Sequence, residues 1–311
     1  MTAVQIILKA AGLRTLWLSV ASVAMGTAAA AAHGSLDPIA AMACLLFAVF
    51  AQCTSNVIHR YYDDKHNYGE NRDDNMYCED IDRPVSYILK EGIQIFSILT
   101  ATAGLAVLSM AGWWALIIAA LIVFFALINN IGPYPLSRSV LYPIATFFIF
   151  GPIAVIGTEL VQSKAVYEDI FTWWNLEPAI IMSVMLGLMA SNCHIIYAIF
   201  HLRRNALTSR TTFFGRYGKT GATIVLVLST IIYCGIGLIA PFELEIVTEY
   251  FIYLPVPVLS MLLSFITIHY ARTPGKCLLA WRMSLVNIVV VALLTLIVFC
   301  IIGYPDGYTG N

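Results

Sequence analysis

Charge is what this 311-residue sequence has least of: Asp, Glu, Lys and Arg make up 11% of it, against 60% hydrophobic residues and a mean hydropathy of +0.82. Soluble globular domains carry roughly 25% charged residues, so the composition excludes that class and defines an integral membrane protein. There is no basic tail, and the net charge of −1 gives nucleic acid no electrostatic footing as a partner. The seven cysteines (Cys44, Cys53, Cys78, Cys193, Cys234, Cys277 and Cys300) show no C-x-x-C spacing. Five of them lie inside apolar runs, where a thiol behaves as a small hydrophobe, so neither a disulfide framework nor a zinc site is expected. No lipidation motif is present, and the apolar segment after Lys9 and Arg14 has no cleavage signature, so it reads as a retained first span.

What is abundant is long apolar sequence. A bilayer core takes about 20 apolar residues per helix, and nine stretches meet that length, near 13–32, 37–58, 92–111, 113–131, 140–161, 178–200, 219–241, 250–270 and 281–303. Only "AGWW" separates the third from the fourth. The flanks after even-numbered spans, with the amino terminus, hold 16 of the 17 Lys and Arg residues, Lys164 being the exception. By the positive-inside rule those flanks and the amino terminus are cytoplasmic and the carboxyl terminus is on the far side of a cell inner membrane. The expectation is a single all-α membrane domain over 1–311, with nine transmembrane helices around a central cavity open to the cytoplasm.

Against this background, eight of the 18 acidic residues fall between Asp63 and Asp82, inside "NVIHRYYDDKHNYGENRDDNMYCEDIDRP". A second polar stretch, "HLRRNALTSRTTFFGRYGKTG", follows the sixth span. Polar residues start inside both helices: Ser55, Asn56, His59 and Arg60 in one, Ser191, Asn192 and His194 in the other. At membrane depth such residues are costly unless they face a cavity, so two such helices four spans apart point to one shared pocket. Asp63, Asp64, Asp73 and Asp74 supply hard oxygens of the kind Mg²⁺ takes beside substrate phosphates. Arg60, Arg83, Arg203, Arg204 and Arg210 supply planar donors that match phosphate oxygens. Together they suit a lipid diphosphate; the competing reading is two solvated loops whose charges pair with one another. Asn129-Asn130 reads as a helix C-cap, and His194 and His269 as packing residues.

Several strings carry a more specific likeness: "LRTLWLSVASVAMGTAAA", "SNVIHRYYDD", "GPYPLSRSV", "FFIFGPIAVIGTELVQ" and "TTFFGRYGKTGA". In order and spacing they resemble the UbiA-type superfamily of intramembrane aromatic prenyltransferases, most closely its 1,4-dihydroxy-2-naphthoate prenyltransferase branch, over roughly residues 10 to 300. The resemblance implies a nine-helix fold. It also implies two aspartate motifs, after helices two and six, that hold Mg²⁺ and the diphosphate of a polyprenyl donor while an aromatic acceptor is prenylated.

The motifs depart from that pattern. N-D-x-x-D falls on His59-Arg60-Tyr61-Tyr62-Asp63, with Asn67 at a further acidic position, and D-x-x-x-D falls on His201 and Asn205. One carboxylate remains where the family offers four or more, and an imidazole and an amide are poor partners for Mg²⁺. Arg60, Arg203 and Arg204 bring compensating positive charge. "DRPV" places Arg83 near the diphosphate by resemblance, Tyr134-x-x-x-Arg138 matches a Y-x-x-x-K element, and Arg210 stands in for a lysine. The resemblance therefore implies catalytic roles for Arg60, Asp63 and His201. Arg60, Arg83, Arg138, Arg203, Arg204 and Arg210 would hold the diphosphate, and Asn56, His59, Tyr134 and Asn205 would line the pocket. Any Mg²⁺ would sit on Asp63 with Asp64, Asp73 or Asp74. The expected partners are a polyprenyl diphosphate, an aromatic acceptor and membrane lipids. A non-catalytic relative that binds an isoprenoid diphosphate or quinone is the alternative, while a secondary transporter would need broken helices in matching halves, which the sequence lacks.

Overall fold

A computed structural model describes residues 2–65, 84–112, 114–131, 135–166, 173–200, 213–243, 250–273 and 275–302. These form helices, and no strand occurs among the described residues. In chain order the helices are α1 (Ala3–Ala10), α2 (Leu16–Ala32), α3 (Pro38–Lys65), α4 (Val85–Ala111), α5 (Trp114–Asn130), α6 (Tyr142–Phe148), α7 (Gly157–Val166), α8 (Trp173–Phe200), α9 (Phe213–Glu243), α10 (Tyr250–Tyr253), α11 (Pro255–Arg272) and α12 (Cys277–Ile302). A π-helical stretch, Ile149–Ile156, joins α6 to α7.

Seven described segments are long and apolar enough to cross a bilayer: Pro38–Asp63, Val85–Ala111, Tyr142–Ser163, Leu176–Phe200, Thr220–Ala240, Phe251–Arg272 and Cys277–Ile302. Two more, Leu16–Ala32 and Ala115–Asn130, are apolar but shorter. At 1.5 Å per residue they span about 25 Å, under a hydrocarbon core of about 30 Å. The nine-span expectation requires both to cross, and seven is the number that length and composition support among the described residues. Gly112, at φ +67°, caps α4 and turns the chain into α5, so the short "AGWW" string does divide two helices.

Three apolar clusters hold the bundle together. The largest joins α2, α8, α9, α11 and α12 through residues such as Met25, Met185, Leu186, Ile196, Leu226 and Ile288. A second packs α1 on α3 and α4 through Ile6, Val57, Ile88 and Leu89, and a third fills the space between α2, α3, α4, α5 and α7. Lipid is as apolar as these side chains, so close approach of backbones, more than burial, decides which helices pair. Glycine provides it. A Cβ on Gly26 of α2 would stand 2.5 Å from the Val155 carbonyl oxygen. One on Gly187 of α8 would stand 2.8 Å from the Phe147 carbonyl oxygen, and one on Gly151 would run into the carbonyl of Ser183.

The π-helical stretch fits this contact. Pro152 lies inside it and has no N–H to give. Ser22 Oγ of α2 lies 2.8 Å from the Phe150 carbonyl and 2.9 Å from that of Leu18, and shares its hydrogen between them. Beyond the stretch, α7 turns Glu159 and Gln162 inward. Glu159 is fully buried and meets His33 Nδ1 at 2.9 Å. Gln162 donates to Thr27 Oγ1 at 3.1 Å and accepts from the Asp37 backbone N–H at 3.3 Å. These polar ties fasten the α2–α3 corner to α7.

Candidate functional site

The first motif lies on the last turns of α3, which runs seven residues past the span end expected at 58. A helix brings residues four apart onto one face, so Ser55, His59 and Asp63 form a ladder while Gln52, Asn56 and Arg60 form the next. The two ladders meet different neighbours.

The Gln52–Asn56 ladder faces the turn between α1 and α2. Gln52 Nε2 donates to the Thr15 carbonyl at 2.8 Å, and its amide oxygen accepts from Ser19 Oγ. Asn56 Nδ2 donates to the Ala11 carbonyl at 2.8 Å and to Thr15 Oγ1 at 3.1 Å. Thr15 Oγ1 can accept because its own hydrogen goes to the Gly12 carbonyl, 2.8 Å away. Gly12 turns the chain at φ +64°, and a Cβ there would lie 3.0 Å from Asn56 Nδ2. Asn56, expected in the pocket, thus spends both amide hydrogens on bracing the amino-terminal turn. Arg60, one turn on, is half-buried.

The His59–Asp63 ladder faces α5. His59 Nδ1 lies 3.1 Å from Asn130 Oδ1, and Asn130 Nδ2 donates to Ser55 Oγ and to the Ala126 carbonyl, both at 2.9 Å. The Ala126 carbonyl is an acceptor only, which fixes the amide's orientation and directs Oδ1 at the imidazole. His59 Nδ1 therefore carries a hydrogen, and Nε2 is the nitrogen turned to Asp63 Oδ2, 3.5 Å away. That separation is long for a hydrogen bond, so the attraction is mainly coulombic when Nε2 is also protonated. The Asp63 side chain is 7% exposed and that of His59 33%, so the imidazole stands on the open side of the carboxylate. Lys90 of α4 lies 5.8 Å from the Tyr61 ring centre and adds a cation to the same region.

Asn130 is the residue that sequence reasoning placed elsewhere. Read as a C-cap, it is 6% exposed and ties α5 to α3 through the imidazole. The available signal was its position, an amide at the end of an otherwise apolar helix, which needs a buried partner. Asn130→Leu is expected to leave the imidazole N–H and the Ser55 hydroxyl unmatched. A loss of about 1–3 kcal/mol in unfolding free energy is expected, measured by thermal or denaturant unfolding in detergent. His194 packs edge-to-face on Tyr142 with ring centres 4.8 Å apart, whereas His269, expected as a packing residue, is exposed and its ring neighbour is the adjacent Tyr270.

The structure brings His59, Arg60 and Asp63 together at the end of α3. Asp64 and Arg138 are placed by backbone alone, in α3 and in a 3₁₀ turn, Leu136–Arg138. Asp73, Asp74, Arg83, Tyr134, His201, Arg203, Arg204, Asn205 and Arg210 lie outside the described residues. The described side chains of α3 offer Mg²⁺ one carboxylate, Asp63, with an imidazole and a guanidinium as neighbours on the helix. By itself that set falls short of a metal site, since one carboxylate is joined by a poor Mg²⁺ ligand and a repelling cation, and no group of three or more His, Cys, Asp or Glu placed to hold a metal occurs among the described residues.

Fold and site define a polytopic helical membrane protein with an acid–base and cation cluster at one end of its third helix. The chain belongs to the UbiA prenyltransferase family, whose model matches residues 19–288. Its fold is similar to the apo structure of a UbiA homolog from Aeropyrum pernix K1, with TM-score 0.64 and 12% identity, over 90% of this chain and 98% of that one. It is also similar to a solved digeranylgeranylglyceryl phosphate synthase, with TM-score 0.58 and 15% identity, over 96% of this chain and 99% of that one. No curated protein matches the chain.

Proposed function

We propose that this protein is a membrane prenyltransferase that moves a polyprenyl group from its diphosphate to an aromatic quinone precursor such as 1,4-dihydroxy-2-naphthoate. The observation that carries the reading is the buried Asp63 beside His59 and Arg60 at the end of α3, the position on which the family's first motif falls. The proposed protein is a single nine-span domain in the cell inner membrane. Its amino terminus and the end of α3 are cytoplasmic and its carboxyl terminus is on the far side, as the distribution of basic residues supports.

Ionisation of an allylic diphosphate leaves a carbocation and a diphosphate of about −3 charge, and groups preorganised around that charge lower the barrier. Arg60, with Arg83, Arg138, Arg203, Arg204 and Arg210, takes this role by charge-assisted hydrogen bonds. Asp63, with Asp64, Asp73 or Asp74, would hold any Mg²⁺, which would supply further neutralisation of the diphosphate. His59 and His201 stand at motif positions where they contact the leaving group, while Tyr134 and Asn205 line the acceptor side. The aromatic carbon attacks the cation and then loses its proton.

Purified protein supplied with a polyprenyl diphosphate and dihydroxynaphthoate is expected to release diphosphate and form prenylated product, measured with and without Mg²⁺. Donor binding without turnover on this or any other aromatic would overturn the enzyme reading. It would leave the second reading, a protein that binds an isoprenoid diphosphate or quinone as sensor, carrier or partner subunit. That reading is favoured by one approach, the imidazole standing 3.5 Å from Asp63, on the carboxylate's open side.

A further inference from the structure

Between α8, α9, α11 and α12 lies a cavity of about 20 Å³, lined on its polar side by Asn192, Thr230, Tyr233, Ser264, Ser284 and Asn287. Asn287 is ten residues into α12, about 15 Å from that helix's start and thus near the middle of a bilayer-spanning helix. The hydrogen bonds around it settle which groups still need a partner. Ser264 Oγ donates to the Ser260 carbonyl at 2.6 Å, so the Tyr233 hydroxyl bonded to it is the donor in their contact. Asn287 Nδ2 donates to Ser264 Oγ at 2.9 Å, and the Ser260 carbonyl, 3.4 Å from the same nitrogen and 2.6 Å from that hydroxyl, shares the same hydrogen. That carbonyl accepts only, which fixes the amide with Oδ1 on the other side. Thr230 Oγ1 donates to the Leu226 carbonyl at 2.7 Å.

The hydroxyl hydrogens of Tyr233, Ser264 and Thr230 are thus already given away, and these three have lone pairs left, while Asn287 keeps the lone pairs of Oδ1 and one amide hydrogen. Asn287 is 4% exposed, and its Oδ1 has no hydrogen-bond partner among the described residues. A buried amide oxygen left unmatched is destabilising, and a cavity this size with several polar walls holds a water molecule. The orphaned Oδ1 calls for a ligand that donates to it, and water does so while keeping lone pairs for the amide and hydroxyl hydrogens of the other walls.

We propose that this cavity is a binding site for one water molecule, which donates its hydrogens to Asn287 Oδ1 and Tyr233 Oη and so joins α12 to α9. The site stands apart from the motif cluster on α3 and does not depend on the transfer reaction.

A density map of the purified protein that shows ordered solvent is expected to contain one peak at about 2.7–3.1 Å from both oxygens. In a bilayer, solid-state NMR is expected to show magnetisation passing from water to Asn287 Nδ2. Asn287→Leu is expected to abolish the peak while α12 keeps its place. No peak in the wild-type protein, or a peak at about 2.3–2.6 Å with six or more oxygen neighbours, the coordination of a cation such as Ca²⁺, overturns the proposal. A peak that persists unchanged in Asn287→Leu overturns the part given to Asn287. If that variant does not fold, the wild-type NMR decides alone, and failure of water to reach Asn287 Nδ2 counts against the site.

Discussion

Arg60→Ala is expected to slow prenyl transfer by about two orders of magnitude, the usual cost of removing one preorganised group from a developing anion. The argument rests on where Arg60 sits. In the proposed motif register it takes a position where an acid is expected, one turn beyond Asn56 on a helix end whose other ladder holds the buried Asp63. A cation in the place of a metal ligand repels the metal, but it supplies directly part of the charge that the metal would have brought. Arg60→Asp separates these effects: it is expected to be as slow as Arg60→Ala without Mg²⁺ and to recover part of the rate as Mg²⁺ is added. Steady-state diphosphate release across a Mg²⁺ titration measures both. Full activity in Arg60→Ala would show that the guanidinium does not stand in for a metal's charge.

Gly151→Leu is expected to prevent formation of the folded protein in detergent, read as loss of the monodisperse peak in size-exclusion chromatography. Even the Cβ of alanine would run into the Ser183 carbonyl and stand 2.9 Å from Gly187 Cα, and both are backbone atoms of α8 that a rotamer change cannot move. Overpacking of this kind costs about 1–3 kcal/mol where side chains can yield, and more where they cannot. Gly151→Ala is therefore expected to lower the unfolding midpoint and Gly151→Leu to abolish it. Gly235 is the control, because a Cβ there meets nothing within 4 Å. Gly235→Ala is expected to leave stability unchanged or raise it by up to about 1 kcal/mol, the difference in helix propensity. Equal losses at both positions would show that propensity, not helix contact, governs Gly151.

Hydropathy reads the bundle well because lipid imposes one rule on every crossing segment: an unbroken apolar helix. The expected spans at 178–200, 219–241 and 250–270 agree with Leu176–Phe200, Thr220–Ala240 and Phe251–Arg272 within two residues at each end. The same rule misses what polar residues do at the ends. α4 begins at Val85, seven residues before the expected 92, because Lys90 and Glu91 ride on the helix where hydropathy stops counting. α1 escaped notice altogether. Eight residues are too few to cross, yet Ile6 and Ala10 bury against α3 and α4, and Thr2 caps the helix with Gln5 answering it.

The site was legible in its residue types and less so in its partners. His59 and Asp63 share a face because four residues make just over one helical turn, and that was open to sequence reasoning. What touches that face was not, since Asn130 is 71 residues from His59 and identifies itself only as an amide at a helix end. For Asn56 the sequence showed a polar residue set inside the helix but not the direction of its amide. One hundred degrees of rotation separates each α3 residue from the next, and only the packed turn at Gly12 shows where its amide goes.

The π-helical stretch at Ile149–Ile156 has a consequence for how this fold changes over time. A π turn is geometrically an α-helix with one residue too many, and each added residue rotates everything after it by about 100°. Here that offset lets one span serve two clients: Gly151 meets α8 on one side of it, and Glu159 and Gln162 meet His33 and Thr27 on the other. Loss of a single codon within the stretch would leave a smoother helix and a mis-phased protein, with a buried carboxylate swung away from its imidazole. For this segment a one-residue deletion is thus a harsher mutation than most substitutions, because the segment gears two parts of the bundle to each other.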